Sequence, residues 1–289
     1  MLQVVFVALF LGVVLLLLPG EKSEPLLAVF DSLFEAIIKA VEIIMLTAPV
    51  GVFGLLADAI TSIAAESPAD LASLLGALGF YCLTVVIGLA IMVFVVYPIF
   101  MRLFTSISIA DYFRAIAPAQ LVAFSTSSSG GTLPVTMEVS EKNLGVSEQV
   151  SSFVLPLGAT VNMDGTALYQ AVSAVFIAQV LGISLAFTQQ LNIVLIAVLA
   201  SIGTAAVPSA GIVMLVVILE SIGVPSAGLA LILGVDRPLD MLRTTNNVTG
   251  DTMVASVVAA TENQLNFPTN GVSVATTDVQ GSVREETAR

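Results

Sequence analysis

Long apolar runs separated by short polar turns make up most of the chain, and the runs are long enough to cross a membrane as helices. Val4 to Leu18 is unbroken, is closed by Pro19 and Gly20, and falls slightly short of the ~20 residues a span takes. It reads as a span or as the end of one. After the polar turn EKSEP, a helical stretch is expected from about Pro25 to Thr61, with Lys39 and Glu42 three apart on one face as a local pair or snorkelling ends. Leu71 to Met101 is an uncharged helix longer than a perpendicular crossing needs, so a tilt is expected.

Two later apolar regions differ. Ala115 to Met137 carries STSSSGGTLP from Ser125 to Pro134, and Ile193 to Leu219 carries SIGTAAVPSAG from Ser201 to Gly211. Hydroxyl residues, glycines and a proline at membrane depth mean interrupted helix, which is tolerated only where protein or a water-filled cavity satisfies the backbone. Each region is read as a re-entrant hairpin with its tip near the midplane, the alternative being a straight span packed through small residues. Between them, Val150 to Leu185 is apolar except for NMDGT at Asn162 to Thr166, where Gly165 and its polar neighbours mark an unwound helix. The second half thus repeats one plan, hairpin then broken polar helix, over Ala115 to Leu185 and Ile193 to Glu262. An inverted repeat of this kind points to a secondary transporter.

The last apolar region holds DRPLDMLRTTNNVTGD from Asp236 to Asp251. At about 100° per residue, Asp236, Asp240, Arg243, Asn247 and Asp251 fall at roughly 0°, 40°, −20°, 20° and 60° on a helix. They share one face. A charge at bilayer depth costs at least ~2.5 kcal/mol, so this face must meet protein, water or a ligand. Asp236, near the helix entrance, is expected to pair with Arg237 or to cap.

Composition supports an all-α integral membrane protein: 57% of residues are hydrophobic and only 10% charged, against ~25% in soluble domains. The absence of histidine excludes His-based triads and metal sites, and a lone Cys82 excludes an internal disulfide or a cysteine cluster. No nucleophile and base occur in a recognisable pairing, so an enzyme is not expected. The net charge of −12 comes without a basic patch, so nucleic acid is not an expected partner. No basic n-region precedes the first apolar run and no A-x-A-like site precedes Glu21, so signal-peptide processing is not expected.

Basic residues set the topology. Lys22, Arg102, Arg114, Lys142, Arg284 and Arg289 are expected in loops or the tail. If Ala115 to Met137 dips and returns, Arg114 and Lys142 share the cytoplasmic side; if it crosses, they are separated. The hairpin reading therefore puts the loop from about Ser62 to Asp70 outside and the polar tail after Glu262 in the cytoplasm.

SSSGGTLPVT, LPLGATVNMDGTALYQ, ASIGTAAVPSAG and VDRPLDMLRTTNNVTGD occur in this order. Together they resemble the motifs of the dicarboxylate/amino acid:cation symporter family, the glutamate and aspartate transporters, from near the start of the chain to about Glu262. The resemblance implies sodium-coupled symport of L-aspartate or L-glutamate across the cell membrane by alternating access. It assigns Arg243 to the substrate side-chain carboxylate and Asp240 to the α-amino group. Thr166, Thr244 and Asn247 complete the polar contacts, with backbone around Ser128, Ser129, Val207 and Gly211. An Arg fork suits a planar carboxylate, and Asp240 supplies the counter-charge for an ammonium.

For the co-transported Na+, the family pattern implies one ion among Gly158, Asn162, Asn247 and Asp251. A second would use backbone oxygens at Thr160, Ser201, Ile202 and Thr204. A third would use Asn162, Asp164 and a helix from an N-terminal third that this sequence does not contain. Residues 1–70 are then partial scaffold helices, 71–262 a transport domain and 263–289 a cytoplasmic tail, with a homotrimer expected where the full scaffold is present. Ser127 and Met241 stand where family members carry a basic residue, and Gln170 stands where proton-coupled relatives carry glutamate. The alternatives left open are a proton-coupled or C4-dicarboxylate carrier, or a fragment that binds ligand or a full-length homologue without transporting.

Overall fold

A computed structural model describes residues 2–47, positions 50, 53, 54 and 57, and residues 68–268. Among the described residues the regular structure is helical, with one isolated antiparallel bridge between Val146 and Leu265. Helix α1 spans Leu2–Leu17 and α2 spans Gly20–Met45. The EKSEP segment is therefore helix rather than turn. The break falls at Leu18–Pro19, and α2 carries Pro25 within its second turn. The reach of this helix toward Thr61, the Glu42 side chain and the loop at 62–67 lie outside the described residues.

Helix α3 (Pro68–Ile91), a π turn (Met92–Val96) and α4 (Tyr97–Phe104) form one rod. From Ala72 to Phe104 it holds 33 residues and reaches a mean hydropathy of 2.6 over an 18-residue window, long and apolar enough to cross a membrane. At 1.5 Å per residue it is about 50 Å long against a ~30 Å hydrocarbon core, in keeping with a tilt. Pro98 explains the π turn: it lacks an N–H and crowds the carbonyl four residues back, and the wider turn absorbs both. The consequence is positional, because Tyr97 is aimed inward and is 1% exposed.

Helices α5 (Ile109–Thr126) and α6 (Ser129–Lys142) pack on each other as one hairpin. Its tip is Ser127, in the left-handed region at φ 55°, followed by Ser128, whose hydroxyl caps α6 by accepting the Gly131 N–H at 3.0 Å. Helices α7 (Glu148–Val161) and α8 (Asp164–Val180) are separated at Asn162–Met163, where neither residue is helical. The break is where NMDGT placed it, but Gly165 lies inside the first turn of α8. Helices α9 (Phe187–Ile202) and α10 (Ala210–Ser221) form the second hairpin. The two tips touch, since Ser128 Oγ and Gly130 N–H both donate to the Ala206 carbonyl, at 2.8 and 3.1 Å.

Helix α11 (Ala230–Thr261) is a continuous shaft of 32 residues that packs against α3 through α8. The expected second broken helix is thus not broken. Side chains rather than freed carbonyls satisfy its polar face, so the backbone has no reason to unwind. Two apolar clusters flank that face. Tyr81, Val85, Ile177, Ile193, Leu215 and Leu219 gather around Ile232 and Leu239, while Met101, Tyr112, Ile116, Leu144 and Leu155 gather around Met253 and Ala255.

The start of the polar tail folds back. Asn266 N–H donates to the Gly145 carbonyl at 2.7 Å and Ser147 N–H to the Gln264 carbonyl at 3.1 Å, clasping the end of α11 to the α6–α7 turn. Gly145 makes this possible, at φ 74° and with no room for a Cβ, which would sit 1.9 Å from the Asn266 oxygen.

Candidate functional site

The middle of α11 passes the α7–α8 break and the tip of the second hairpin, and the predicted polar face points into that junction. Asp236, Asp240, Arg243, Asn247 and Asp251 are each 2–3% exposed. Arg243 Nη2 donates to Asp240 Oδ1 at 2.5 Å, and its guanidinium lies over the Tyr169 ring, 4.3 Å from the centroid. This arrangement leaves Nη1 buried, 4.0 Å from Asp236 Oδ1 and without a hydrogen-bond partner.

The second hairpin closes over this group. Ser209, left-handed at φ 59°, donates its N–H to Asp240 Oδ2 at 2.8 Å and its hydroxyl to Asp236 Oδ2 at 3.3 Å. Gly211 lets α10 approach the guanidinium, because a Cβ there would stand 2.9 Å from Nη1. The Gly211 carbonyl accepts Gln170 Nε2 at 3.1 Å. Thr244 is buried beside Arg243 in the chain, Ser128 and Ser129 are buried at the first tip, and Val207 is half-buried in the second.

Asn247 bridges the two helices: its Nδ2 donates to Thr166 Oγ1 at 3.0 Å, and its Oδ1 accepts the Gly165 N–H at 2.9 Å. One turn on, Asn162 Nδ2 donates to Asp251 Oδ1 at 3.0 Å, and Gly158 packs so closely that a Cβ would meet the same oxygen at 2.8 Å. Gly158, Asn162 and Asp251 are therefore brought together as expected. Asp164 Oδ2 accepts the Tyr97 hydroxyl at 2.5 Å, while Oδ1 accepts the Gly165 N–H at 2.8 Å and Asn246 Nδ2 at 3.1 Å.

Asn162, Asp164, Ser201 and Ile202 line a cavity of about 520 Å³. Thr160 and Thr204 are not among its lining residues. The Thr160 side chain is exposed and bonded to the Leu157 carbonyl at 3.0 Å, and the Thr204 hydroxyl closes the end of α9 on the Ala200 carbonyl at 2.9 Å. Amide, carbonyl and carboxylate oxygens of this kind suit a hard cation rather than a transition metal.

Several residues of this junction escaped the sequence reading. Asp236 pairs with Tyr169 (2.7 Å), Ser209 and Arg243 rather than with Arg237, whose Nη1 is buried without a partner. Its position at 0° on the calculated face was the available signal. Tyr97, Tyr169 and Asn246 had a subtler one. A tyrosine in a membrane-grade helix needs a partner for its hydroxyl, and all four tyrosines here are buried with one: Tyr81 on Ser173, Tyr97 on Asp164, Tyr112 on the Thr249 carbonyl and Tyr169 on Asp236.

The chain is 44% identical over 238 residues to human Excitatory amino acid transporter 1, covering 82% of this chain and 43% of the relative. It is 44% identical to the rat Excitatory amino acid transporter 4 over 82% of this chain and 42% of the relative. Against mouse Excitatory amino acid transporter 2 it is 41% identical, over 83% of this chain and 41% of the relative. The chain thus spans less than half the length of these relatives. The model of the sodium:dicarboxylate symporter family matches residues 1–261, a span that contains every residue of the junction described above, and the chain belongs to that family.

Proposed function

We propose that this chain carries the substrate and cation sites of a sodium-coupled symporter for an acidic amino acid, L-aspartate or L-glutamate, in the cell membrane. The family and the relatives are transporters rather than enzymes. The observation that carries the substrate class is the Nη1 of Arg243, buried against Gly211 and 4.0 Å from Asp236 Oδ1 but without a hydrogen-bond partner. A buried donor left unmade costs ~1–3 kcal/mol, and more when charged. A substrate carboxylate satisfies it, while Asp240 on the other edge of the guanidinium receives the α-ammonium. Thr166, Thr244, Asn247 and the hairpin tips at Ser128, Ser129, Val207 and Gly211 complete the enclosure.

Sodium is assigned among Gly158, Asn162, Asn247 and Asp251, on backbone oxygens of Thr160, Ser201, Ile202 and Thr204, and, for a third ion, at Asn162 and Asp164, which share one cavity with Ser201 and Ile202. Residues 71–262 act as the moving transport domain and 1–70 as part of the scaffold, which forms a trimer in the full-length assembly. The hairpins are re-entrant with tips near the midplane, and the C-terminus is cytoplasmic. What supports this is the meeting of the two tips over one buried polar face in an otherwise apolar chain.

Calorimetric titration of L-aspartate into the purified chain, in sodium and then in potassium, tests the reading. Binding is expected in sodium alone. Arg243→Ala removes the fork and leaves the Asp240 charge without its cation, a loss of about 3–5 kcal/mol, so affinity falls more than about a hundredfold. Unchanged aspartate affinity in that variant overturns the assignment.

A further inference from the structure

Asn246 turns away from the substrate group, toward the first turn of α8 and the start of α4. It is fully buried. Its Nδ2 donates to both the Tyr97 hydroxyl, at 2.8 Å, and Asp164 Oδ1, at 3.1 Å. The Tyr97 hydroxyl in turn donates to Asp164 Oδ2 at 2.5 Å. With the Gly165 N–H, both oxygens of Asp164 are fixed by donors from three elements, and Asp164 is a lining residue of the 520 Å³ cavity beside Asn162. The Gly165 N–H is shared, because it also meets Asn247 Oδ1 at 2.9 Å. Two adjacent asparagines of α11 thus grip the same turn of α8, Asn246 through a cation-set carboxylate and Asn247 through Thr166 of the substrate set.

We propose that Asn246 and Tyr97 are the positioning residues of Asp164, and that their grip sets the sodium affinity of the site while leaving the substrate contacts untouched. The reason is geometric. A carboxylate that must leave water to meet an ion gains most when its orientation is fixed in advance, and Asp164 is oriented by groups that themselves have no free rotation: a packed ring behind the π turn and an amide held between two acceptors. Asn246→Leu keeps the bulk and removes both donors. Tyr97→Phe keeps the ring and removes the hydroxyl.

This inference rests on the sodium-coupled reading, and the experiment separates the two. Sodium is titrated into the substrate-free 289-residue chain while thermal stability is followed, and aspartate affinity is then measured at saturating sodium. Losing a hydrogen bond to a charged group costs enough to raise the sodium midpoint roughly tenfold, and both variants are expected to show this. Aspartate affinity at saturating sodium should stay within about twofold of the parent, since no substrate contact is removed. A merely structural role lowers stability without moving the sodium midpoint. The proposal is overturned if the midpoint is unmoved in the folded variants, or if aspartate affinity at saturating sodium falls in step with it. Should Asn246→Leu fail to fold, Tyr97→Phe decides the matter alone. A parent chain without sodium-dependent stabilisation or binding overturns the functional reading, and this inference with it.

Discussion

Gly165→Ala puts one methyl into the tightest point of the site. A Cβ there would lie 2.7 Å from Asn246 Nδ2, 2.8 Å from Asn247 Oδ1 and 3.1 Å from the Arg243 carbonyl. The first two are side-chain ends, but neither is loose: Asn246 is held by Tyr97 and Asp164, and Asn247 by Thr166. The third is backbone of α11, so relief requires α8 and α11 to part. Overpacking of this kind costs about 1–3 kcal/mol, and turning either asparagine away strands a buried partner for another ~1–3 kcal/mol. At roughly 2–4 °C per kcal/mol, the melting temperature should fall by at least about 4 °C. Gly79→Ala in α3 is the control, because no atom lies within 4 Å of the position its Cβ takes. There the substitution brings only helix propensity, worth up to ~1 kcal/mol in favour of alanine. Melts of parent, Gly165→Ala and Gly79→Ala at one scan rate in one detergent should therefore shift in opposite directions. A Gly165→Ala chain that melts within about 2 °C of the parent refutes the close packing of α8 on α11.

Two further outcomes follow from the same contacts. Asp251→Asn removes a carboxylate charge beside Asn162 and Gly158; cation affinity follows ligand charge, so the sodium needed for half-maximal aspartate binding should rise about tenfold or more, and an unmoved sodium titration refutes that assignment. Gly145→Ala combines a left-handed backbone with a backbone collision at Asn266, so the 264–267 segment should detach and become open to protease, and an unchanged digestion pattern refutes the clasp.

How much was legible in the sequence depended on whether a signal was local. The rod from Ala72 to Phe104, the hairpin tips at Ser127–Ser128 and Gly203–Ser209 and the break at Asn162–Met163 are local facts. Residue type and spacing dictate them, because apolar length makes a span and a cluster of polar or hydroxyl residues with glycine or proline in its middle makes an interruption. The shared face of Asp240, Arg243, Asn247 and Asp251 is local as well, a product of helical periodicity. What escaped were pairings across the fold. The bond from Tyr97 to Asp164 joins residues 67 apart and that from Asn246 to Tyr97 residues 149 apart, and no spacing rule reaches that far. Asp236 was misassigned to Arg237 for the same reason, its partners Tyr169 and Ser209 being distant in sequence. Continuity of α11 was missed by treating polar residues as helix breakers. Their side chains are satisfied from outside the helix, so they do not compete with its backbone bonds.

The charge carried by this junction bears on coupling itself. Asp164, Asp236, Asp240 and Asp251 lie on or beside the face that holds Arg243, so four carboxylates meet one guanidinium and leave three negative charges uncompensated if all are ionised. An acidic amino acid brings one more negative charge than positive. Each buried charge without a partner costs several kcal/mol even after relaxation, so the proposed site is expected to bind such a substrate only when positive charge accompanies it. On the proposed reading, cation coupling is then a condition of binding rather than an addition to it, with the oxygen-rich groups at Asn162, Asp164 and Asp251 proposed as the place where that positive charge is accommodated at least cost. On that proposal, neutralising Asp164 or Asp251 lowers the requirement for cations and weakens the place that would hold them, whereas neutralising Asp240 removes a proposed substrate contact. The two kinds of variant should therefore separate along different axes, sodium midpoint for the former and substrate affinity at saturating sodium for the latter.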